Sequence, residues 1–354
     1  MSNSKFVLTN RFNLPDTIVR AVEYDNHKVA GDISVTQLIS PPQMRMLRRE
    51  ADQIVEDVSD KLWALLGTAL HAVLERSAVA QQEVHHFLSV IDIIRDRIER
   101  ADINDEQTVA SLQQAVPFLE WVISTLYPNY QPTAEIERTI SMSIGGYQLY
   151  GTRDYFIPAE SRLQDYKLMP VSQHGKIDVK AEFKKQLNIY AYMTRKNGQT
   201  VNAIDVIAIY RDWSKAQSKF KANYPPCAVE VLPIPLMRDE EIENYILERL
   251  NLHHRAEQGE YIPCTNAEKW EKPTQWAVKS KGRKQAVRVL PTQAQAESYL
   301  KTKTIVNGYI EKRAGNPIRC ESYCPVSGIC PQYANYLEEQ RRAESGGQKN
   351  LNLD

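Results

Sequence analysis

The stretch GTRDYFIPAESRLQDYKLMP, residues 151–170, decides the fold that this sequence predicts. Asp154 lies near the end of one predicted strand, and Asp165, Tyr166 and Lys167 lie in the next. Because side chains alternate along a strand, Asp165 and Lys167 project from one face and Tyr166 from the other. If the two strands pair, Asp154 points into the same space as Asp165.

Two carboxylates that converge repel each other, and a divalent cation is the usual way to keep both ionised. A lysine beside the metal orients an attacking water or offsets the charge that develops on a phosphoryl group. Asp154, Asp165 and Lys167 therefore indicate metal-assisted phosphodiester hydrolysis. The competing interpretation is that Asp-x-Lys marks a solvated strand face, where charged side chains are common.

The chain around this stretch predicts alternating strands and helices. Gly145-Gly146 predicts a hairpin between two strands, and VNAIDVIAIYRDW predicts a buried strand. This order predicts an α/β fold, a mixed sheet flanked by helices. The predicted strands span residues 134–144, 146–157, 162–168, 201–213 and 227–234, and the predicted helices span residues 180–197 and 239–258.

Further helical patterns flank this core. Pro41-Pro42 is predicted to stop a short helix that residues 34–37 cap, and the helical pattern from residue 43 to about 77 is interrupted near Gly67. Another helix is predicted over residues 293–314. We expect five regions: an N-terminal segment with the first core helices (1–82), a helical insertion (83–130), the α/β core (131–260), a basic hairpin, helix and cysteine-rich clamp (261–335), and a flexible tail (336–354).

Composition narrows the function classes. The chain has 354 residues, and its 44 Lys and Arg balance 44 Asp and Glu, so nucleic-acid affinity must come from a local basic face. No stretch approaches the ~18 apolar residues of a membrane span, and the N-terminus lacks a signal-peptide pattern. We therefore expect a cytoplasmic protein without a membrane partner.

A series of short motifs contains His71 in GTALH, Asp154 in GTRD, Asp165-Tyr166-Lys167, and Gln186 with Tyr190 in QLNIY. In order and spacing this series resembles that of RecB-type nucleases of the PD-(D/E)XK superfamily, a group that includes CRISPR-adaptation exonucleases and phage recombination nucleases. The resemblance covers roughly residues 34–333. It implies a restriction-endonuclease-like fold and DNA as the substrate.

The resemblance also implies roles for individual residues. Lys167 would be the catalytic lysine, and Gln186 and Tyr190 would position the site and the DNA strand. An imidazole ligand suits manganese better than magnesium, so either metal is expected. Further implied partners are a helicase or a recombination protein, in the host cytoplasm if a phage encodes the chain. The groups that would hold the metal are His71, Asp154, Asp165 and the backbone carbonyl of Tyr166.

Each of these residues also has a structural interpretation. His71 on an apolar helix is by itself more typical of a satisfied core histidine. Core packing accounts for Tyr190 equally well. Glu137, on the strand before Asp154, would support the site as a second carboxylate, but a solvated strand face is the favoured interpretation.

Three cysteines, Cys320, Cys324 and Cys330, lie within eleven residues in CESYCPVSGICPQY. Such spacing in an intracellular protein favours zinc or an iron-sulfur cluster over buried or free thiols. In cluster-bearing members of the resembled family a fourth cysteine precedes the core, but this chain has no cysteine before Cys227. Cys264 is the predicted substitute, a 4Fe-4S cluster is preferred over zinc, and Cys227 is predicted to be buried.

A cluster of basic residues is predicted to bind DNA phosphates from a hairpin at residues 275–290. Trp270 and Trp276 are candidates to stack on unpaired bases. A solvated basic hairpin with its tryptophans in the core is an equally good interpretation. The basic residues are Lys279, Lys281, Arg283, Lys284 and Arg288.

The sequence therefore predicts a metal-dependent DNA nuclease, an exonuclease that acts from DNA ends in DNA processing or recombination. One alternative is a non-catalytic DNA-binding or recombination-partner module, against which the intact Asp154, Asp165 and Lys167 argue. A second alternative is a zinc-clamped interaction protein without a nucleic-acid role, which the neutral net charge permits.

Overall fold

The structure is a computed structural model that describes residues 6–23, 30–78, 82–99, 106–126, 134–175 and 181–348. The chain divides into two compact units. Unit 1 comprises Met1–Asn13, Gln37–Val58 and Glu248–Asp354, and unit 2 comprises Leu14–Thr36 and Ser59–Leu247. The five regions expected from the sequence remain predictions. Within the described residues, none of the helices combines the length and the apolar character needed to cross a bilayer.

The described residues contain strands and helices throughout. The strands are β1 (Phe6–Thr9), β2 (Ile33–Ser34), β3 (Ile54–Asp57), β4 (Glu135–Ile144), β5 (Tyr147–Ile157), β6 (Arg162–Met169), β7 (Ala203–Tyr210), β8 (Val229–Ile234), β9 (Gln275–Ser280), β10 (Arg288–Leu290) and β11 (Gly308–Arg313). The helices are α1 (Asp16–Glu23), α2 (Val35–Ile39), α3 (Pro42–Glu50), α4 (Val58–Ala78), α5 (Gln82–Glu99), α6 (Glu106–Leu126), α7 (Ala181–Lys196), α8 (Lys215–Phe220), α9 (Asp239–Glu257), α10 (Gln293–Thr302), α11 (Ile318–Ser322) and α12 (Pro331–Gln348).

Unit 2 is built on a six-stranded mixed sheet in the order β2-β5-β6-β7-β8, with β4 also paired to β5. Strands β2 and β5, and β6 and β7, run parallel, and the other pairs are antiparallel. β7 is buried along most of its length, as a central strand covered on both faces should be. Helix α7 buries a continuous run from Leu187 to Thr194. The α/β fold with a mixed sheet and helices is confirmed.

The hairpin that joins β4 and β5 follows the prediction. Gly145 and Gly146 have φ angles of 58° and 81°. Positive φ at both central residues is what a two-residue hairpin turn requires, and glycine adopts it without a steric cost. The turn pairs Ile144 with Tyr147, which sets the register of the whole β4–β5 ladder.

The break in the N-terminal helical pattern lies elsewhere than predicted. α4 continues through Gly67, where a Cβ would meet open space, and the interruption is the short strand β3. The short helix predicted before Pro41-Pro42 is α2, which ends at Ile39, and Pro42 begins α3, because the first helical position needs no backbone N–H donor. Strand β3 pairs in parallel with β1 in unit 1.

The predicted helical insertion contains α5 and α6. These helices pack through Ile91 and Ile123, with further apolar contacts from Phe87, Leu88, Val116 and Leu119. The two helices agree with the apolar spacing of three and four residues. Residues 127–130 of the predicted insertion lie outside the described residues.

The predicted helix over residues 293–314 is wrong in its second half. α10 ends at Thr302, and the chain turns at Asn307 into β11, which pairs with β9 on the edge opposite β10. The alternating sequence GYIEKR fits a strand better than a continuing helix. α12 continues to Gln348 through part of the predicted tail, whose flexibility remains a prediction, and residues 349–354 lie outside the described residues.

Candidate functional site

Three acidic residues form one row across β4, β5 and β6. The β4–β5 register puts Glu137 opposite Asp154. The β5–β6 ladder ends at Tyr155 and Gln164, and the next position in the same register joins Asp154 to Asp165. Hairpin geometry therefore brings three carboxyl groups to neighbouring strands at the point where β5 and β6 stop pairing.

The backbone at Glu137 is in the left-handed region, with φ at 47°. A residue with a Cβ reaches this region at a cost of roughly 1 kcal/mol or more, and such residues occur often at functional sites. The Glu137 carboxylate accepts a hydrogen bond from His71 Nδ1 at 2.9 Å. This contact helps to hold the strained backbone in place.

His71 on α4 joins the row of carboxylates. Its Nδ1 also lies 3.7 Å from Asp154 Oδ2. The hydrogen bond to Glu137 is the main reason that the pKa of His71 is raised, with burial opposing and the charge of Asp154 assisting. Potential ligand atoms of His71, Glu137 and Asp154 all lie within 4.8 Å of one another, a spacing that suits one metal ion. The structure therefore places His71 beside Asp154, and the role of both as metal ligands remains a prediction.

Asp165 is a buried carboxylate, 2% exposed. Neither of its oxygens has a well-directed hydrogen bond among the described residues. Its close neighbour is Lys167, whose Nζ lies 2.5 Å from Oδ2 as an ion pair. A buried carboxylate with unused lone pairs is costly, and a bound cation is one way to remove that cost.

The pKa values of the row reflect burial and the repulsion between its carboxylates. Burial, followed by the charge of Asp165, raises the pKa of Asp154 from 3.8 to about 7. Opposing this, the Tyr166 backbone N–H donates to Asp154 Oδ2 at 2.8 Å. Burial would lower the pKa of the Lys167 ammonium, but the charges of Asp165 and Asp154 outweigh it and the pKa is raised. Lys167 therefore stays cationic beside the carboxylates.

These groups fit a divalent cation. Two carboxylates on neighbouring strands suit the hard oxygen preference of magnesium, and the imidazole of His71 shifts the set towards manganese. Beyond its ion pair with Lys167, Asp165 has lone pairs without directed hydrogen bonds, and the pKa of Asp154 is raised by burial and by the charge of Asp165, so both carboxylates suit a further cation. The carbonyl of Tyr166 remains a predicted ligand.

Gln186 and Tyr190 lie next to the acidic row on α7. Gln186 Nε2 donates to Tyr190 Oη at 3.4 Å, and Tyr190 is 4% exposed. Burial raises the pKa of Tyr190, and the charges of Asp165 and Asp154 add to the shift. Gly151 on β5 makes room for the ring, because a Cβ there would lie 2.6 Å from Tyr190 Cε1. The positioning role of the two side chains remains a prediction.

A buried arginine anchors β5 immediately before Asp154. Arg153 pairs with Glu135 on β4, and its Nη1 donates to Thr194 Oγ1 at 3.0 Å and to Gln199 Oε1 at 2.9 Å. These contacts tie β5 to both β4 and the end of α7. The backbone that carries Asp154 is thus held from two sides.

Glu137 corrects the sequence interpretation, which favoured a solvated strand face for this residue. The side chain is about a quarter exposed and contacts the imidazole of His71. The signal was present in the hairpin, since the Gly145-Gly146 turn alone sets Glu137 opposite Asp154. Alternation along β4 alone does not show which side chain lies across from Glu137, whereas the cross-strand register does.

The four predicted cysteine ligands lie together in unit 1. Burial raises the pKa of Cys264 to about 12, and nearby Glu268 and the thiols of Cys330, Cys320 and Cys324 add to that shift. The side-chain amide of Gln332, two residues after Cys330, bonds both the N–H and the C=O of Cys264 at 2.9 Å. Their role as metal ligands remains a prediction.

The prediction for the fifth cysteine is wrong. Cys227 is exposed rather than buried. It precedes β8, an edge strand whose neighbours Val229 and Val231 are themselves about half exposed. Apolar neighbours in the sequence indicated a core position, but an edge strand leaves one side of such residues uncovered.

The predicted basic hairpin contains β9, a turn and β10 in unit 1. Lys279 forms an ion pair with Glu311 at 2.9 Å, so it is less available than predicted. Trp276 lies under Lys312 with 5.8 Å between Nζ and the ring centroid, and Trp270 packs against Tyr323 at 5.4 Å. Binding of DNA by these residues remains a prediction. The other basic residues, all exposed, are Lys281, Arg283, Lys284 and Arg288.

Comparison with known proteins gives one family match. The model of the PD-(D/E)XK nuclease superfamily matches residues 44–331. Among solved structures, SSO0001 is similar at 15% identity and a TM-score of 0.35, over 69% of this chain and 89% of that one. A candidate exonuclease from Eubacterium rectale is similar at 14% identity and a TM-score of 0.27, over 55% of this chain and 70% of that one. No curated protein matches.

Proposed function

The chain belongs to the PD-(D/E)XK nuclease superfamily, and we propose that it is a divalent-metal-dependent deoxyribonuclease that hydrolyses phosphodiester bonds. The observation that carries this proposal is the buried Asp165, whose oxygens lack directed hydrogen bonds while Asp154 and Lys167 lie beside it. A fold that had lost catalysis would have no need to keep two repelling carboxylates out of water.

The residues that would hold the metal are Asp154, Asp165 and His71, with Glu137 as a further carboxylate and the carbonyl of Tyr166 as the ligand that the motif series implies. When bound, a divalent cation lowers the pKa of water and offsets the charge that develops on the phosphate. The side chain of Asp154 is held in place by the backbone N–H of Tyr166, next to Asp165 on β6, so little reorganisation would be needed there.

Lys167 would act on the substrate rather than on the metal. Its ammonium group is kept protonated by the carboxylates around it. It can donate hydrogen bonds to a non-bridging phosphate oxygen or orient an attacking water. The ring centroid of Phe183 lies 5.4 Å from Nζ, so an aromatic face lies within cation–π range of the ammonium group.

Glu137 would position His71. A carboxylate can only accept, so Nδ1 of the imidazole carries the proton in this contact. This fixes the ring orientation relative to Asp154. Gln186 and Tyr190 would close the other side of the site, where the hydroxyl of Tyr190 reaches the space near Asp165 and Asp154.

The finer particulars of the proposal rest on the motif series alone. The first is that the enzyme is RecB-type and resembles CRISPR-adaptation and phage recombination nucleases. The others are that it acts as an exonuclease from DNA ends, and that it works with a helicase or a recombination protein in the cytoplasm.

For Cys264, Cys320, Cys324 and Cys330 we favour a 4Fe-4S cluster that clamps the C-terminal segment. The thiols of these four residues lie near one another, since Cys330, Cys320 and Cys324 all add to the raised pKa of Cys264. Four cysteines also suit a single zinc ion, which is the alternative occupant.

The proposed function is tested by incubating the purified protein with end-labelled linear DNA and with circular DNA of the same sequence, in manganese and in magnesium. Metal-dependent loss of linear DNA alone would support an exonuclease. Cleavage of both forms would establish a nuclease with endonuclease action. Absence of cleavage in either metal, with metal binding confirmed calorimetrically, would contradict the proposal in favour of a non-catalytic DNA-binding module.

A further inference from the structure

An exposed tryptophan and an arginine form a stacked pair in unit 2 that the hydrolytic site does not use. Trp63 on α4 is 56% exposed. The guanidinium carbon of Arg211 lies 3.9 Å from the centroid of the indole ring. One face of the ring is therefore covered by a planar cation, and the large exposed fraction leaves the other face open to solvent.

Two separate connections along the chain, one through α4 and one through β7, place this pair near the acidic row. Trp63 precedes His71 by eight residues on α4, which corresponds to about 12 Å along the helix axis and about 80° around it. Arg211 follows β7 directly, and its backbone N–H donates to the carbonyl of Met169, two residues after Lys167. The stacked pair is therefore at one end of the strands that carry the site.

The chain that follows Arg211 is basic and exposed. Lys215, Lys219 and Lys221 are all exposed on or next to α8, and Phe220 between them is 87% exposed. The acidic residue in this stretch, Asp212, uses its carboxylate to accept a hydrogen bond from the Val171 backbone at 2.6 Å. Exposed cations interleaved with aromatic rings are typical of a surface that binds single-stranded nucleic acid.

We propose that Trp63 and Arg211 form a base-stacking site for single-stranded DNA, with the lysines of α8 neutralising its phosphates. This inference rests on the proposed nuclease function and names the form of DNA that reaches the site. A stacked strand advances about 3.4 Å per nucleotide, so the base on Trp63 lies roughly three to four nucleotides from the scissile phosphate. Duplex DNA has no unpaired base to offer the indole ring.

A protein partner is the less favoured occupant. Tryptophan and arginine are also frequent at the centres of protein interfaces, where they are surrounded by apolar contacts. Here the chain that follows Arg211 carries three exposed lysines, and the substrate of the proposed nuclease is a polyanion. Charge complementarity therefore favours a nucleic-acid strand.

Binding is measured by fluorescence anisotropy with a fluorescein-labelled dT20 oligonucleotide and the EDTA-treated protein, so that hydrolysis does not interfere. Trp63→Ala should weaken binding by roughly tenfold or more, as the loss of one stacked base does, while Trp63→Phe should retain most of the affinity. Arg211→Gln should weaken binding in the same direction. Affinity for a blunt duplex should change by less than about twofold in the tryptophan variants.

Trp121 provides a matched control, because it is a tryptophan of unit 2 that is 59% exposed on α6. Trp121→Ala should bind dT20 like the parent protein. Intrinsic tryptophan fluorescence adds a direct readout, since dT20 should quench the parent and Trp121→Phe but quench Trp63→Phe less. Circular dichroism of every variant shows whether it is folded, and Trp63→Phe with Arg211→Gln keeps the test valid if Trp63→Ala does not fold.

Unchanged dT20 affinity in folded Trp63→Ala and Arg211→Gln would overturn the inference and leave a protein-docking surface in its place. An equal loss in Trp121→Ala, or no binding of dT20 by the parent, would overturn it as well. Failure of the nuclease proposal looks different: the parent would then cleave no DNA with manganese, while tryptophan-dependent binding of dT20 persisted.

Discussion

Asp154 is an acidic side chain whose charge is unfavourable in the folded protein until a cation binds. It is 8% exposed and neighbours Asp165 and Glu137 on adjacent strands. Burial and the neighbouring charge raise its pKa to about 7, so a metal-free protein at neutral pH retains part of the proton on this group. At the residue scale, the fold therefore holds these candidate metal ligands close together although their negative charges repel one another.

The first prediction follows from that cost. In the EDTA-treated protein the folded state binds more protons at Asp154 than the unfolded state between pH 3.8 and about 7, so its contribution to stability falls as the pH rises through this window. Asp154→Asn should remove this loss. At about 1.4 kcal/mol per pH unit, the variant should gain up to about 4 kcal/mol in unfolding free energy at pH 8 and almost nothing at pH 4.

Urea unfolding of the parent and of Asp154→Asn at the two pH values measures this difference. Asp92→Asn, an exposed carboxylate on α5, serves as the control and should show no pH-dependent gain. Manganese should raise the melting temperature of the parent but not of Asp154→Asn. A variant that is less stable than the parent at pH 8 without metal would show that the carboxylate is not under electrostatic strain.

The second prediction concerns Lys167. Lys167→Met keeps most of the aliphatic stem but removes the ammonium group beside Phe183. We expect kcat to fall by roughly a hundredfold or more, the usual effect of losing one group that stabilises the transition state. The manganese-induced rise in melting temperature should remain, because the lysine is not a ligand. Loss of that rise together with activity would make Lys167 necessary for metal binding instead.

At the scale of secondary structure elements, the site depends on how closely β5 and α7 approach. Gly151 is the point of contact, since a Cβ would lie 2.6 Å from Tyr190 Cε1 and 3.1 Å from Val35 Cγ2. The motif Gly-Thr-Arg-Asp thus contains a glycine, Gly151, that lets β5 and α7 pack closely, and an aspartate, Asp154, that is a candidate metal ligand. Substitution of Gly151 should disturb this packing, whereas substitution of Asp154 should remove a candidate ligand.

The third prediction tests this close packing. Gly151→Ala should destabilise the protein by about 1–3 kcal/mol, because the added methyl group overpacks a rigid interface. Tyr190→Ala in the same chain should relieve part of the loss, so the two substitutions should be non-additive in urea unfolding. Gly67→Ala is the control: it faces open space within α4 and should stabilise by up to about 1 kcal/mol. Full additivity would show that Gly151 and Tyr190 do not pack against each other.

The fourth prediction concerns the elements that carry the cysteines. Protein purified without oxygen should be brown, with broad absorbance near about 400 nm as cysteine-ligated clusters show. Cys264→Ala and Cys324→Ala should both lose colour and become sensitive to proteolysis, since ligand loss removes the metal's contribution to folding. Cys227→Ala should keep colour and stability because that side chain is exposed. A colourless protein with one equivalent of zinc would replace the cluster with a zinc site.

At the scale of the whole molecule, charge is balanced and DNA affinity has to be local. The formal net charge is zero, from 44 basic and 44 acidic residues. Long-range attraction of DNA to the molecule as a whole is therefore weak. The exposed basic positions of the β9–β10 hairpin and of α8 are separate candidate surfaces, one in each unit.

The fifth prediction separates the hairpin from the rest of the surface. Replacing its four exposed cations by Gln should lower duplex affinity and flatten the dependence of log K on log salt by about 0.9 for each phosphate that the hairpin no longer neutralises. A control variant, in which four exposed cations outside the hairpin are replaced by Gln, should leave this slope unchanged. Equal slopes for the two variants would show that the hairpin is only solvated. The hairpin positions are Lys281, Arg283, Lys284 and Arg288, and the exposed control positions are Lys196, Arg238, Arg341 and Arg342.

Local sequence patterns determined the sheet and most of its acidic row. The Gly145-Gly146 turn, the strand patterns on either side of it and the aspartates themselves place Asp154 beside Asp165, and the same turn places Glu137 opposite Asp154. These features could be predicted because hairpin register is a property of neighbouring residues. The two helices of the insertion follow for the same reason, from their apolar spacing.

The motif series implied that His71 joins the aspartates, and Cys264 was predicted to join the cysteine trio, but only the tertiary structure decided which side chains they contact. His71 lies 66 residues before its partner Glu137, and Cys264 is bonded by Gln332, which is 68 residues later. The stack of Trp63 on Arg211 and the turn that ends α10 before β11 likewise depend on packing between separate elements. Periodicity and turn chemistry act over a few residues, whereas such long-range pairs form only when whole helices and strands have packed, and no short pattern encodes that arrangement.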